Sequence, residues 1–202
     1  GESNLVKLFS QGNYVGMYVN DESINKQFLD KHFDEKNGPL FKCDNIDRFC
    51  DTTGAPSAMP PNLNFLGDDS TLYYNSYDMK SDHGWTELVD LIRTIVYEFQ
   101  NIDSVLNVDR TLWAFAANQT LQNLDCYNTY YVHNYYLYQT EDGLFQMIPW
   151  DLDNSFAGES WVGTFGTNLQ FMNTIRIIWG VHIPDQWEHH SLGNGGHYLI
   201  SF

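Results

Sequence analysis

The sequence has very few positive charges. Only 10 of its 202 residues are Lys or Arg, against 26 that are Asp or Glu, which gives a formal net charge of −16 and a pI near 4.5. Binding to nucleic acid or to an anionic membrane surface depends on Lys and Arg that neutralise phosphate groups. The composition therefore argues against both ligands. A basic protein substrate is the partner that such an acidic surface would attract.

Long apolar runs and a dense set of cysteines are also absent. No run of about eighteen apolar residues is present, so the sequence predicts no transmembrane helix, and no charged-then-apolar signal segment opens it. Cys43 and Cys50 flank a polar loop and are predicted to form a disulfide, as is common in extracellular proteins. Cys126 then has no partner cysteine in the sequence. A glycosylation sequon begins at Asn118, although it falls within a predicted helix. The cysteine usage and, with less weight, the sequon favour secretion, in which case the signal segment is expected to have been removed or to lie upstream.

Several short catalytic motifs are missing as well. The sequence has no GxSxG element, no Walker A motif and no CxxC pair. His189, His190 and His197 do not have the HExxH spacing of a zinc site, and His133 is predicted to be a packed or surface histidine. A Ser-His-Asp triad is recognised by its geometry, and no residue of this sequence indicates one.

The residues that are present suffice for one packed domain or a fragment of a larger one. Hydrophobic residues make up 43% of the chain and aromatic residues 16%. Apolar spacing predicts two long helices, at residues 85–99 and 112–124, with Asp109 as a capping candidate for the second and with their aromatic stripes in the core. The other predicted elements are a hairpin (4–10 and 13–19), a helix (21–33, capped by Asp21 or Ser23), a strand (40–43) and a long irregular connection (44–82).

A second hairpin, at residues 135–150, is the pattern around which the chain is organised. An aromatic run at 135–138 and an apolar run at 144–150 flank an Asp-Gly pair at 142–143. An Asp-Gly turn between two β-prone runs strongly indicates a hairpin. Such a hairpin brings the residue before its first strand close to the residues after its second strand.

The residues that this hairpin brings together are Asn134, Asp151 and Asp153. Carboxylate and amide oxygens gathered at one strand end suit a hard cation such as Mg²⁺. Asp and Asn also commonly cap turns at strand ends, and the spacing alone leaves both interpretations open.

Lys42, Glu22 and Asp125 are the other candidate site residues. A lysine in an apolar strand is usually an edge residue whose amine stays in water. The alternative is that Lys42 binds phosphate and is fixed by Glu22 of the preceding helix, as in the strand-lysine and helix-glutamate pair of protein kinases. Asp125, at the end of an apolar helix, is either a capping carboxylate or a base that accepts the proton of a substrate hydroxyl.

Seven short segments carry a family resemblance. They are YVGMY at 14–18, ESINK at 22–26, FL at 28–29, GPLFK at 38–42, NLD at 123–125, HNYYLY at 133–138 and IPWDLDNSF at 148–156. Taken in this order they resemble the CotH family, the spore-coat-type atypical protein kinases with relatives in many bacteria and as surface proteins in fungi. The resemblance covers about residues 5–158, and HNYYLY followed by IPWDLDNSF is its most specific part.

The resemblance implies an α+β fold, a reduced version of the two-lobed protein kinase. It also implies transfer of the γ-phosphoryl group of ATP to Ser or Thr of a protein, with Mg²⁺ or Mn²⁺ as the metal, outside the cell or at its surface. The matching positions imply these roles: Lys42 holds the nucleotide phosphates, Glu22 orients Lys42, Asp125 is the catalytic aspartate, and Asn134 and Asp151 hold the metal, a role that Asp153 could share.

Three features depart from the family. Its upstream strand region, which covers the phosphates, is expected to precede the first residue here, so the first part of the N-lobe is expected to be missing. Asp125 and Asn134 are nine positions apart, against five in the ordinary kinase loop, so an insertion at 128–132 is expected to bulge out. Residues 1–158 are therefore predicted to be a partial kinase domain, and 159–202 a divergent segment that leaves the C-lobe incomplete.

Three functions compete on the sequence. The first is the ATP-dependent and metal-dependent protein kinase. The second is a non-catalytic surface or adhesion module on the same fold, which the acidity and aromatic content favour. The third is a hydrolase that uses the aspartate pair. The joint presence of the five polar positions favours the kinase, because a binding module has no need of the whole set: Lys42, Glu22, Asp125, Asn134 and Asp151.

Overall fold

The computed structural model describes residues 1–44, 60–123, 125–129 and 132–156. Within these ranges the chain mixes helices and strands, which confirms the α+β class. The strands are β1 (Ser3–Ser10), β2 (Asn13–Asp21), β3 (Leu40–Cys43), β4 (Asp78–Met79), β5 (Tyr135–Gln139) and β6 (Phe145–Pro149). The helices are α1 (Lys26–Phe33), α2 (Trp85–Tyr97) and α3 (Val108–Thr120), with 3₁₀ turns at Ser70–Tyr73, Phe99–Ser104 and Leu152–Asn154. None of these helices combines the length and apolar character needed to span a membrane.

The first hairpin forms as predicted. β1 and β2 pair in antiparallel fashion from Ser3 opposite Asp21 to Ser10 opposite Asn13. The chain reverses at Gln11 and Gly12, which both have positive φ, as a tight hairpin turn requires. The ribbon exposes nine large apolar side chains: Leu5, Val6, Leu8, Phe9, Tyr14, Val15, Met17, Tyr18 and Val19.

The second sheet has the strand order β4-β3-β5-β6, and every neighbouring pair is antiparallel. The predicted central hairpin is confirmed as β5 and β6, and Gly143 has a φ of +86° in its turn. Just before β3, Gly38 lies so close to β5 that a Cβ atom on it would be 1.9 Å from the carbonyl oxygen of Gln139. A glycine is therefore required where β3 joins the sheet.

Side chains alternate between the two faces of this sheet. One face packs on α2 and α3 and includes Phe41, Leu137 and Phe145. The opposite face packs on Phe28 and Leu29 of α1 and includes Leu40, Tyr136, Tyr138 and Ile148. By the same alternation Lys42 belongs to the α1 face.

Helix α1 begins later than predicted. It starts at Lys26, and its N-cap is Asn25, whose Oδ1 accepts hydrogen bonds from the backbone N–H groups of Gln27 (2.9 Å) and Phe28 (3.1 Å). The predicted start at Asp21 is wrong because β2 continues through that residue. Glu22 therefore lies in the connection between β2 and α1 rather than on the helix.

Helix α3 packs through a different face from the one predicted. Its N-cap is Asn107, not Asp109, which lies in the first turn. The helix buries Thr111, Ala114 and Asn118, whereas Leu112 and Trp113 are 58% and 70% exposed. The predicted apolar core face of α3 is wrong because polar side chains on the face that is buried form hydrogen bonds with nearby residues. The Thr111 hydroxyl donates to Asn107 O (2.9 Å), and Asn118 Oδ1 accepts from Asn123 Nδ2 (3.4 Å). The buried Asn118 is thus a core residue rather than an accessible glycosylation site.

The predicted disulfide between Cys43 and Cys50 is not formed. Cys43 is a free thiol with no solvent exposure on the α2 side of the sheet, and its predicted partner Cys50 lies outside the described residues. Burial raises the pKa of the Cys43 thiol well above its ordinary value, so the thiol is inert under native conditions. The prediction was wrong because alternation along β3 directs this side chain into the core, away from the loop that follows.

Thiol counting tests this assignment. The protein denatured in guanidinium without reductant is expected to show three titratable thiols per chain, the number of its cysteines, because Cys43 and Cys126 are both free. The same count after reduction is the control. A count of one before reduction would show that the disulfide forms after all.

Candidate active site

Three strands bring the predicted site residues to one edge of the second sheet. β5 runs antiparallel to both β3 and β6, so the ends of those two strands meet the start of β5. Lys42 on β3 lies opposite Tyr136 on β5. The carbonyl oxygen of Asn134, just before β5, accepts a hydrogen bond from the backbone N–H of Trp150 (3.0 Å). Asp151 is the residue directly after Trp150. The hairpin thus places Asn134 beside the aspartates, as the sequence predicted.

Asp125 reaches this edge from the loop after α3. Its Oδ2 accepts hydrogen bonds from two amides, Asn134 Nδ2 (3.2 Å) and Asn154 Nδ2 (2.9 Å). Its Oδ1 lies 3.3 Å from His133 Nε2. A second bond from Asn134 Nδ2 to the Asp125 carbonyl oxygen (3.1 Å) fixes the loop against the start of β5. The structure therefore brings Asp125 and Asn134 into direct contact.

The protonation of Asp125 reflects opposing influences. Burial raises the pKa of its carboxyl group above the ordinary range. The positive charge available on His133 and the hydrogen bonds from Asn154 and Asn134 lower the pKa, and the charge of Asp153 raises it. The net effect is a raised pKa, which moves the carboxylate toward the basicity that a general base needs.

The first two positions of the predicted insertion, Asn128 and Thr129, do not bulge out as predicted. Cys126, Asn128 and Thr129 are all buried. The backbone N–H of Cys126 donates to Thr129 Oγ1 (3.2 Å), and the backbone N–H of Thr129 donates back to Cys126 O (3.2 Å). These local bonds fold residues 126–129, which include the first two positions of the predicted insertion, inward as a closed turn. Residues 130 and 131 lie outside the described ranges.

Asp151 and Asp153 form an acidic pair directly after β6. Burial raises the pKa of Asp151, and the charge of Asp153 together with a hydrogen bond between the two carboxyl groups raises it further. Asp125 and Asp44 contribute smaller shifts in the same direction. The backbone around this pair is unusual, because three non-glycine residues have positive φ: Asn134 (58°), Asp151 (53°) and Phe156 (61°).

The donor set at this edge suits a divalent cation. Among the described residues, no three His, Cys, Asp or Glu side chains already lie close enough together to hold a metal ion. Mg²⁺, however, is usually held by one or two carboxylates, together with water and substrate phosphates. Asp151 and Asp153 are separated by one residue directly after β6 and interact electrostatically, so they would provide two carboxyl groups to a cation held there. Oxygen ligands of this kind fit Mg²⁺ or Mn²⁺.

Lys42 pairs with a different carboxylate from the one predicted. Its Nζ lies 2.7 Å from Asp44 Oδ2 on the same face of the sheet. Glu22 instead interacts with His32 Nε2 (2.8 Å) and Lys31 Nζ (3.2 Å) of α1. The predicted Glu22–Lys42 pair is not present because Glu22 precedes α1 and its carboxylate is bound by Lys31 and His32 in the last turn of that helix. The structure assigns Asp44 as the partner of Lys42.

The lowered pKa of Glu22 predicts how the stability of the fold depends on pH. The hydrogen bond from His32, then that from the backbone of Glu2, and then Lys31 lower the pKa of Glu22 to about 2, from an ordinary value of 4.5. A depressed pKa in the folded state means that the charged group stabilises the fold above pH 4.5. That contribution is lost as the pH falls through about 2. A carboxyl NMR titration is expected to give a Glu22 midpoint near 2, whereas a midpoint near 4.5 would contradict the contacts.

Sequence reasoning missed three residues at this site, namely Asp44, His133 and Asn154. Asp44 was assigned to the irregular connection, although its spacing of two from Lys42 on a strand places both on one face. His133 was predicted to be a packed or surface histidine, yet its Nε2 contacts the carboxylate of Asp125. Asn154 follows Asp153 directly, and no local signal indicates that its amide reaches back to a loop 29 residues earlier.

Comparison with known families agrees with the segments quoted above. A sequence profile described as CotH kinase protein matches residues 2–179, which include every candidate site residue. A search of curated proteins finds no significant match. The profile covers most of the chain and confirms the resemblance, so this protein belongs to the CotH kinase protein family.

Proposed function

We propose that this protein is an atypical, metal-dependent protein kinase. It transfers the γ-phosphoryl group of ATP to a Ser or Thr hydroxyl of a secreted, coat or surface protein. The observation that carries the proposal is the direct contact between Asp125 and Asn134, at the edge of the sheet where Lys42, Asp151 and Asp153 also lie, in a member of a kinase family.

The proposed fold is a reduced protein-kinase-like domain made of residues 1–158. α1 lies on the same face of the sheet as Lys42, which is the side on which a kinase places the helix next to its phosphate-binding lysine. In the kinase scheme the helix supplies the carboxylate that orients this lysine. Here Asp44, the residue directly after β3, supplies it.

Each residue has a role that its position supports. Lys42 would contact the nucleotide phosphates, and Asn134, Asp151 and Asp153 would hold Mg²⁺ or Mn²⁺, which neutralises charge on the phosphate oxygens when bound. Asp125 accepts the proton of the substrate hydroxyl. The substrate oxygen forms a bond to the γ-phosphorus, the bond from that phosphorus to the bridging oxygen breaks, and ADP leaves with the electron pair.

The substrate follows from the family and from the charge of the chain. A protein kinase acts on a protein hydroxyl, and a net charge of −16 attracts a basic acceptor. The low content of Lys and Arg leaves nucleic acid without the contacts that it needs. The association of the family with spore coats supports a substrate outside the cell or at its surface.

A second candidate is a non-catalytic binding module on the same fold. The first hairpin favours it, because a ribbon with nine exposed large apolar side chains is typical of a surface that contacts another molecule. Nucleotide binding discriminates the two functions, since the binding module has no need of ATP.

Thermal melting with nucleotide is the test of the proposed function. Saturating ATP with Mn²⁺ is expected to raise the melting temperature of the wild type. A ligand at a hundredfold over its Kd adds about 2.7 kcal/mol, which is about 5–10 °C for a chain of this size. The Asp151→Ala variant is expected to lose this shift, because the metal then lacks one of its carboxylates.

ATP without Mn²⁺ and Mn²⁺ without ATP are the controls for this melt. The exposed Asp103→Asn variant is the matched control for the substitution, and it should keep the full shift. A wild type that melts at the same temperature with and without Mn·ATP would overturn the kinase proposal in favour of the binding module.

A further inference from the structure

Asn154 lies at the end of the 3₁₀ turn that follows the acidic pair. Its Nδ2 donates to Asp125 Oδ2 at 2.9 Å, the shorter of the two amide bonds to that oxygen. Neither family resemblance nor local spacing gives this side chain a role. Both donors to Asp125 Oδ2 are neutral amides, so they hold the carboxylate without cancelling its charge.

Both ends of the segment that carries Asn154 are fixed. The turn is closed by a bond from Ser155 N to Leu152 O (3.0 Å), and Phe156 N then donates to Leu121 O (2.8 Å) at the C-terminal end of α3. Asp151, at the other end, follows β6 directly. The amide of Asn154 is therefore presented to Asp125 from a short segment that is held against two separate elements.

The hydrogen bonds of Asp125 divide between its two oxygens. Oδ2 is occupied by Asn134 and Asn154, whereas Oδ1 faces His133 at 3.3 Å. A carboxylate with one oxygen held by two donors cannot rotate freely about its Cβ–Cγ bond. The second oxygen then has a fixed direction in which it can accept a proton.

We propose that Asn154 is a positioning residue for Asp125, which holds Oδ2 so that Oδ1 is presented to the substrate hydroxyl. The role rests on the proposed kinase function. Because Asn154 directly follows Asp153, one four-residue segment, 151–154, both supplies the metal carboxylates and orients the base. A single turn after β6 thus links the two halves of the site.

Kinetics of Asn154→Ala provide the first test. The turnover number is expected to fall about a hundredfold, because small displacements of a reacting group have effects of this size. The KM for ATP and the Mn·ATP thermal shift are expected to stay close to the wild-type values, because no nucleotide contact is removed. Asn154→Gln keeps an amide donor and should recover part of the rate. The exposed Asn75→Ala variant is the matched control and should retain full activity.

A double-mutant cycle without nucleotide tests the contact separately from activity. Asn154→Ala, Asp125→Ala and the double variant are melted, and their shifts in melting temperature are expected to be non-additive, because the two residues share a hydrogen bond. Additive shifts, or an Asn154→Ala turnover number within about threefold of the wild type, would overturn the positioning role. A wild type with neither phosphoryl transfer nor a nucleotide shift would overturn the proposed function and the role that rests on it. The cycle would still report on the contact in that case.

Discussion

Replacement of Asp125 by asparagine is expected to lower the rate of phosphoryl transfer by about 10²–10⁴-fold, the usual contribution of a positioned general base. Asparagine keeps the shape of the side chain, and its carbonyl oxygen can still accept the bonds that Asn134 and Asn154 donate to Asp125. The amide cannot take the proton of a substrate hydroxyl. The loss is therefore expected in the turnover number, with ATP binding retained.

Initial rates of phosphate incorporation into a basic acceptor protein such as histone measure this effect. The thermal shift with Mn·ATP, recorded on the same samples, shows that the variant is folded and binds nucleotide. The exposed Asp103→Asn variant controls for loss of one negative charge. Equal rates for the wild type and the Asp125→Asn variant would show that Asp125 is not the base, even if the metal and nucleotide assignments hold.

Replacement of Gly38 by alanine is expected to destabilise the fold strongly. The added Cβ would lie 1.9 Å from the carbonyl oxygen of Gln139, a backbone atom that cannot move by rotation of a side chain. Overpacking of this kind costs about 1–3 kcal/mol or more, so the melting temperature is expected to fall by at least several degrees. Because the displaced strand is β3, which carries Lys42, nucleotide binding is expected to weaken as well.

The Gly16→Ala variant is the matched control for this substitution. A Cβ on Gly16 would meet only the ring of Tyr18, at 3.3 Å, on an exposed ribbon where the ring can shift. Its melting temperature is expected to stay near that of the wild type. If the Gly38→Ala and Gly16→Ala variants melt at the same temperature, Gly38 does not approach the backbone of Gln139 this closely in solution.

The two hairpins and the gathering of Asn134 with Asp151 were predictable because each depends on a short stretch of sequence. Turn residues and alternating apolar residues determine where a hairpin reverses and which residues flank its strands. The same reasoning placed β3 correctly and identified the buried Leu88, Val89 and Ile92 of α2. It wrongly extended that helix to Phe99, which lies beyond its end at Tyr97 and is 65% exposed. Local patterns of this kind predict most of the residues that meet at the sheet edge of the candidate site.

The features that sequence reasoning missed depend on helix boundaries, on packing and on contacts between distant segments. Which carboxylate pairs with Lys42 depended on where α1 begins, and that was decided by Asn25 as the cap and by the length of β2. The buried face of α3 was mispredicted because hydrophobicity alone favours Leu112 and Trp113, whereas packing selected smaller and polar residues with local partners. The bond from Asn154 to Asp125 joins residues 29 positions apart, and no periodicity encodes it.

The left-handed backbone at Asp151 has an evolutionary consequence. A non-glycine residue in this conformation costs on the order of 1–3 kcal/mol, and its carboxyl group also lies against the negative charge of Asp153. Drift to glycine at this position would relieve both effects at once while removing a proposed metal ligand. Lineages that no longer need phosphoryl transfer would therefore tend to become more stable as they lose it. Relatives with glycine here are expected to be well-folded, long-lived proteins without catalytic activity.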